Sequence, residues 1–155
     1  MAVIDISELK SALPKGAPLF GLDPGEKTLG VATSDVTLTI ASPLTLIKRS
    51  KFTLEAASLF ALMQERGAAG LVIGLPINMD GSEGPRCQSN RALGRNLLSL
   101  RDMPIVFWDE RLSSAAVNRM LISEADLSRA KRADVVDRAA AAYILQGALD
   151  RLRGL

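Results

Sequence analysis

The chain has 155 residues, 48% of them hydrophobic and 23% charged, which is enough apolar material for one buried core and too much for a disordered segment. Its 19 basic and 17 acidic residues leave a net charge of +2, which admits a nucleic-acid partner without demanding one. It has no histidine and one cysteine, Cys87, so His-containing zinc sites, Ser-His-Asp triads and internal disulfides are excluded.

Residues 1–17 read as an N-terminal extension with a helical turn at 6–13, ahead of a single domain over 18–155. Asp5 and Glu8 break the basic-then-apolar pattern of a signal peptide, and no apolar run is long enough to span a bilayer. With a lone thiol, that points to a cytoplasmic protein and no membrane partner. Strands are predicted at 19–23 and 28–34, joined by a hairpin across Pro24 and Lys27, and at 38–47, where Pro43 marks an edge strand or a bulge. The period then changes. Leu54, Ala57, Phe60, Ala61 and Met63 recur at helical spacing over 53–66, and Gly67 ends that helix. A buried strand at 71–75, a helix at 84–100, a second buried strand at 105–108 and helices at 113–122 and 133–152 complete the chain. Small side chains at 139–142 make a seam for close packing. An antiparallel meander followed by βαβ units gives an α/β fold, a mixed five-stranded sheet with helices on both faces. The ribonuclease H-like fold has this order throughout.

Three carboxylates stand where such a sheet binds ligands. Asp23 ends the first strand beside Gly21, on the sheet face opposite Phe20 and Leu22. It is either an exposed ligand or a turn-initiating Asp ahead of Pro24-Gly25. Asp109 and Glu110 follow a buried strand, and alternation turns one toward the site and the other away. Asp137 borders the packed face of the last helix, where a carboxylate is costly unless paired or metal-bound; the alternative is a first-turn acid favoured by the helix dipole. Three acids at one edge repel one another, and a hard cation, Mg²⁺ or Mn²⁺, resolves that repulsion. Spacing alone leaves these readings open.

The segments Leu22-Asp23-Pro24-Gly25, Gly30-Val31-Ala32, Gly74-Leu75-Pro76, Asp80-Gly81-Ser82-Glu83-Gly84-Pro85, Asp109-Glu110-Arg111-Leu112-Ser113 and Asp137 with Ile144-Leu145-Gln146 closely resemble the YqgF/RuvX family. The resemblance covers nearly everything from Leu19 onward. It implies a ribonuclease H-like fold and a bacterial cytoplasmic nuclease, acting on the 5′ end of pre-16S rRNA or on four-way DNA junctions. It places the family's acids, catalytic and metal-binding, on Asp23, Glu110 and Asp137. Thr28 stands where the family often has Arg, which shifts a phosphate contact toward Lys27; Ser113 and Ser114 replace a Thr and keep a hydroxyl.

Arg86, Arg91 and Arg95 lie in an acid-free helical segment, and Arg111 adjoins Glu110. With Lys27 these are the expected nucleic-acid contacts, Arg86 and Arg111 foremost because they belong to the matched motifs. Lys48, Arg49 and Lys51 form a second basic cluster. A solvated helix face is the alternative for all of them. The Asp80 to Pro85 loop is expected at the same edge as the acids. Aromatics are too few for single-stranded base stacking, so recognition by shape and phosphate is expected. A junction resolvase works as a two-fold homodimer, and the sequence leaves dimerisation open. Two other readings remain: an actin-like ATPase, which needs a second domain, and a non-catalytic RNA-binding ribosome-assembly factor.

Overall fold

The computed structural model describes residues 3–112 and 129–155, with side chains of the last helix from Ala139 onward. The helix expected at 113–122 lies outside the described residues. Five strands, β1 (Leu19–Pro24), β2 (Thr28–Ser34), β3 (Ala41–Lys48), β4 (Gly70–Leu75) and β5 (Ile105–Asp109), form one sheet in the order β3-β2-β1-β4-β5. The first three pair antiparallel, β4 pairs parallel with β1, and β5 pairs parallel with β4. A tight turn suffices for the antiparallel step, whereas the parallel β4–β5 step needs the crossover helix α3 (Pro85–Leu100). Helix α2 (Phe52–Arg66) returns the chain from the β3 edge to the centre of the sheet. This is the mixed sheet of the ribonuclease H-like fold that the element order predicts.

Helices cover both faces. On one, Phe20, Leu22, Ile73 and Ile105 pack with Ala56, Leu59 and Met63 of α2 and with Leu93 and Leu97 of α3. On the other, Leu19, Val72, Val106 and Trp108 meet Ala141, Leu145 and Leu149 of α4 (Arg129–Arg153), joined by Leu9 of the short helix α1 (Leu9–Ala12). Strand β4 is buried at every position, so it lacks alternation and reads as a plain apolar run. Gly21 faces α4 so closely that a Cβ there would lie 2.7 Å from Leu145 Cβ and 3.0 Å from the Ala141 carbonyl. The small-residue seam is buried, as expected, at Ala139, Ala141 and Ala142.

The N-terminal segment is tied to the sheet. Ile4 N donates to Ile105 O (2.9 Å), Val3 bridges to Ile105 in parallel, and a 3-10 turn at Ile6–Glu8 leads into α1, whose Leu9 is fully buried. Two expectations need correction. Strand β3 begins at Ala41 and not at Leu38. The Asp35 carboxylate accepts from Thr37 Oγ1 (2.6 Å), Thr39 N (2.7 Å) and Ile40 N (3.2 Å), and Leu38 sits at φ 57°, so this stretch is a turn. Helix α2 buries Ala56, Leu59 and Met63, with Phe60 partly packed, while Leu54, Ala57 and Ala61 face solvent. The buried stripe was hidden because one of its positions is Glu55, only 4% exposed. Pro43 satisfies both of its readings. It lies on the edge strand, and the β2–β3 register slips there, between Val31 opposite Thr45 and Ala32 opposite Pro43. Among the described residues, no helix is long and apolar enough to cross a membrane.

Candidate active site

The carboxyl edge of the sheet gathers the ends of β1, β4 and β5. Strand β1 brings Asp23 there, on the Gly21 side that faces α4. The following turn is tight: Gly25 N donates to Thr28 O (2.8 Å), and a Cβ on Gly25 would lie 2.9 Å from that oxygen. Strand β5 ends at Asp109, and the chain turns at once into a 3-10 segment, Glu110–Leu112. That turn separates the two neighbouring acids.

Asp109 goes to Arg111. Its oxygens accept from Arg111 Nη2 (2.7 Å), Nε (3.0 Å) and the Arg111 backbone N (3.0 Å), and these bonds hold its carboxyl below the usual range. Glu110 goes inward, against Gly74: a Cβ on that glycine would lie 2.9 Å from Glu110 Oε2 and 2.6 Å from Ile144 Cδ1. Among the described residues, Glu110 Oε2 is buried without a hydrogen-bond partner. Burial pushes the Glu110 carboxyl up to about 7, helped by the charges of Asp23 and Asp109 and opposed by Arg86. Two of the three expected acids, Asp23 and Glu110, are therefore brought within reach of each other's charge. Asp137 falls within α4, but its side chain lies outside the described residues. Among the described residues no third acid joins the pair.

Helix α3 opens against this edge. Arg86 Nη2 donates to Pro24 O (3.2 Å), and one turn later Asn90 Nδ2, buried, donates to Gly74 O (2.8 Å). One helix face thus grips the ends of both β1 and β4. Across the site, Arg111 Nη1 reaches Asn78 O (3.4 Å) in the loop after β4, so that loop shares the acids' edge as expected. The loop is held by Asn78 N to Ser82 O (3.0 Å), by Gly81 at φ 90°, and by Asp80, which accepts from Ser82 N (2.9 Å).

The other basic residues divide. Lys27 is exposed on the β1–β2 turn, and Arg95 is exposed on α3. Arg91 is engaged within the molecule: Glu83 accepts from its Nε (2.7 Å) and Nη2 (2.8 Å), and its guanidinium lies 5.2 Å from the Phe107 ring centroid. Of the second cluster, Arg49 turns inward to pair with Glu55 and donates to Gly25 O (2.9 Å). Lys48 and Lys51 remain on the surface. Cys87 is buried, and burial pushes its thiol up, as suits a packing residue. Sequence reasoning missed Glu55 and Asn90. Both sit on helices as ordinary polar positions; Glu55 pairs with Arg49 from the turn before its helix, and Asn90 bonds the backbone of Gly74 on another element.

The RuvX family, described as Holliday junction resolvase, matches residues 17–151. A relative from Caulobacter sp. (strain K31) is 67% identical over 156 residues, covering 100% of this chain and 95% of its own. One from Rhodospirillum rubrum is 64% identical over 152 residues, covering 98% and 94%. Both carry the provisional name pre-16S rRNA nuclease. Among solved structures, T. thermophilus RuvC in complex with a Holliday junction substrate aligns with TM-score 0.56 at 15% identity, over 88% of this chain and 96% of that one. The yeast mitochondrial Holliday junction resolvase Ydc2 aligns with TM-score 0.53 at 11% identity, over 96% and 86%. At such identities the likeness is one of fold. The chain belongs to the RuvX family, nucleases built on the ribonuclease H-like fold.

Proposed function

We propose that this protein hydrolyses phosphodiester bonds of structured nucleic acid in the cytoplasm, with Asp23, Glu110 and Asp137 holding a divalent cation, Mg²⁺ or Mn²⁺. The observation that carries this reading is the buried Glu110 Oε2, without a hydrogen-bond partner among the described residues and within the field of Asp23. An ionised carboxylate in that position is unstable by itself, and an oxygen-seeking cation fits it. When bound, the cation lowers the pKa of water and stabilises charge at phosphorus. Backbone placement supports Asp137 as the third ligand. From the Gly21–Ala141 contact, two residues along β1 advance about 6.6 Å to Asp23, and four residues back along α4 cover about 6 Å to Asp137. The two paths run toward the same edge, because Gln146, further along α4, bonds to Ala41 and Thr39 at the opposite edge.

Arg86 and Arg111 flank the acid pair and suit the phosphates on either side. Lys27 and Arg95 extend that surface, and Arg91 reaches a phosphate only by leaving Glu83. Water adds across the ester bond, its oxygen to phosphorus and its proton to the departing alkoxide. The favoured substrate is the 5′ end of pre-16S rRNA, after the name carried by relatives 64% and 67% identical along nearly the whole chain. The second reading is a four-way DNA junction, after the family description. It requires a dimer to make paired cuts, and the first does not.

Cleavage assays on a labelled pre-16S leader and on a synthetic junction, in Mg²⁺, Mn²⁺ and EDTA, separate these. Metal-dependent cutting of the leader, lost in Asp23→Asn, is expected. Tight binding with no cutting under either metal would leave an RNA-binding assembly factor and overturn the nuclease reading.

A further inference from the structure

Beside the acids lies a cleft of about 280 Å³, between the β1–β2 turn, the β3–α2 junction and the start of α3. Arg49 and Arg86 line it with Ser89 and Asn90, and the exposed Glu26 is the acid on its wall. The two arginines come from distant parts of the chain but are anchored to the same turn. Arg49 Nη1 donates to Gly25 O (2.9 Å), and Arg86 Nη2 donates to Pro24 O (3.2 Å). Glu55, 4% exposed, fixes Arg49 through Nε, and the Arg49 backbone N donates to Lys27 O (2.9 Å). A guanidinium has five N–H groups. These side-chain bonds use two on Arg49 and one on Arg86, and no other protein partner takes the rest among the described residues.

Fixing two flexible cations in one cleft costs side-chain entropy and adds repulsion. An anion between them would relieve the repulsion and offset the entropy cost. We propose that this cleft is a phosphodiester-binding site, which takes the phosphate adjoining the one at the acid pair. Its position next to the cut rests on the nuclease reading; the anion site itself does not. Arg49 offers its remaining N–H groups as a fork while Glu55 holds its orientation, so Arg49 is a binding residue and Glu55 its positioning residue. Arg86 lies between cleft and acids, because it lines the cleft while its guanidinium touches Pro24, the residue after Asp23.

The test is equilibrium binding of a fluorescein-labelled RNA duplex in EDTA, where no metal-dependent cutting occurs, across a range of KCl concentrations. Arg49→Gln is expected to lower the slope of log affinity against log salt by about one, the share of a single phosphate contact. Ser89→Glu places an anion in the cleft without touching the Glu55 pair and is expected to do the same. It decides the matter if Arg49→Gln does not fold. A wild-type slope in either folded variant overturns the proposal. So does saturation of the cleft by inorganic phosphate that leaves duplex binding unchanged, which would assign it to a free anion. Slope loss in a protein that cuts nothing keeps the anion site and removes the nuclease reading; cutting without slope loss does the reverse.

Discussion

Glu110 rests its carboxyl on the bare α-carbon of Gly74, with Oε2 only 2.9 Å from where a Cβ would stand. The same absent methyl would lie 2.6 Å from Ile144 Cδ1. Gly74→Ala must therefore move a core side chain and the carboxylate together. Overpacking of this kind costs about 1–3 kcal/mol. The expected outcome is a lower melting temperature together with a loss of cutting larger than the stability change explains, measured by calorimetry and by cleavage well below the new midpoint.

One part of the pH dependence of the metal-free protein follows from Glu110. Its carboxyl is raised from 4.5 to about 7 in the fold, so the folded state retains a proton that the unfolded chain has already released. The contribution of Glu110 is then fully present below about 4.5, falls as pH rises, and is lost above about 7. The loss is roughly 2 kcal/mol, discounted from the full shift because the carboxyl is partly exposed. Thermal unfolding in EDTA should show this decline in the wild type and a flatter profile in Glu110→Gln. A wild-type profile as flat as the variant's would contradict the assignment.

Divalent cations should reverse that slope. Since binding favours the ionised carboxylate, Mn²⁺ is expected to raise the melting temperature more at pH 8 than at pH 5. Asp23→Asn should abolish the rise.

Glu55→Ala tests the brace behind the β1–β2 turn. The variant leaves Arg49 without its carboxylate, and the side chain of Arg49 keeps 27% exposure, so the cost should fall below the figure for a fully buried pair, at roughly 1–3 kcal/mol. Arg49→Gln in the Glu55→Ala background should recover part of this stability, which a denaturant titration of the single and double variants measures.

The placement of Asp23 was legible from strand alternation, since Gly21 and Asp23 share a face whatever packs on it. The outward turn of Asp109 and the inward turn of Glu110 were legible only as a pair, because alternation says that neighbours diverge and not which one enters the site. The 3-10 turn and the local Arg111 fork decide that. The buried face of α2 was not legible, because its stripe includes Glu55, whose neutralising partner comes from beyond the end of β3. Leu38 looked like strand for a similar reason: its propensity is β, but the Asp35 carboxylate bonds the backbone ahead and bends the chain there. Arg91 and Arg95 looked equivalent by helical spacing. Glu83, from the preceding loop, makes them different.

The close approach of α4 to Gly21 acts as a gauge. It sets the thickness of the core at a point one step from the edge that carries the acids, so packing and chemistry share a single dimension. A substitution that lets the helix ride outward by a fraction of a bond length would leave a folded molecule with its proposed ligands too far apart to grasp an ion. Variants of Gly21 should accordingly lose affinity for divalent cations at temperatures where they are still fully native.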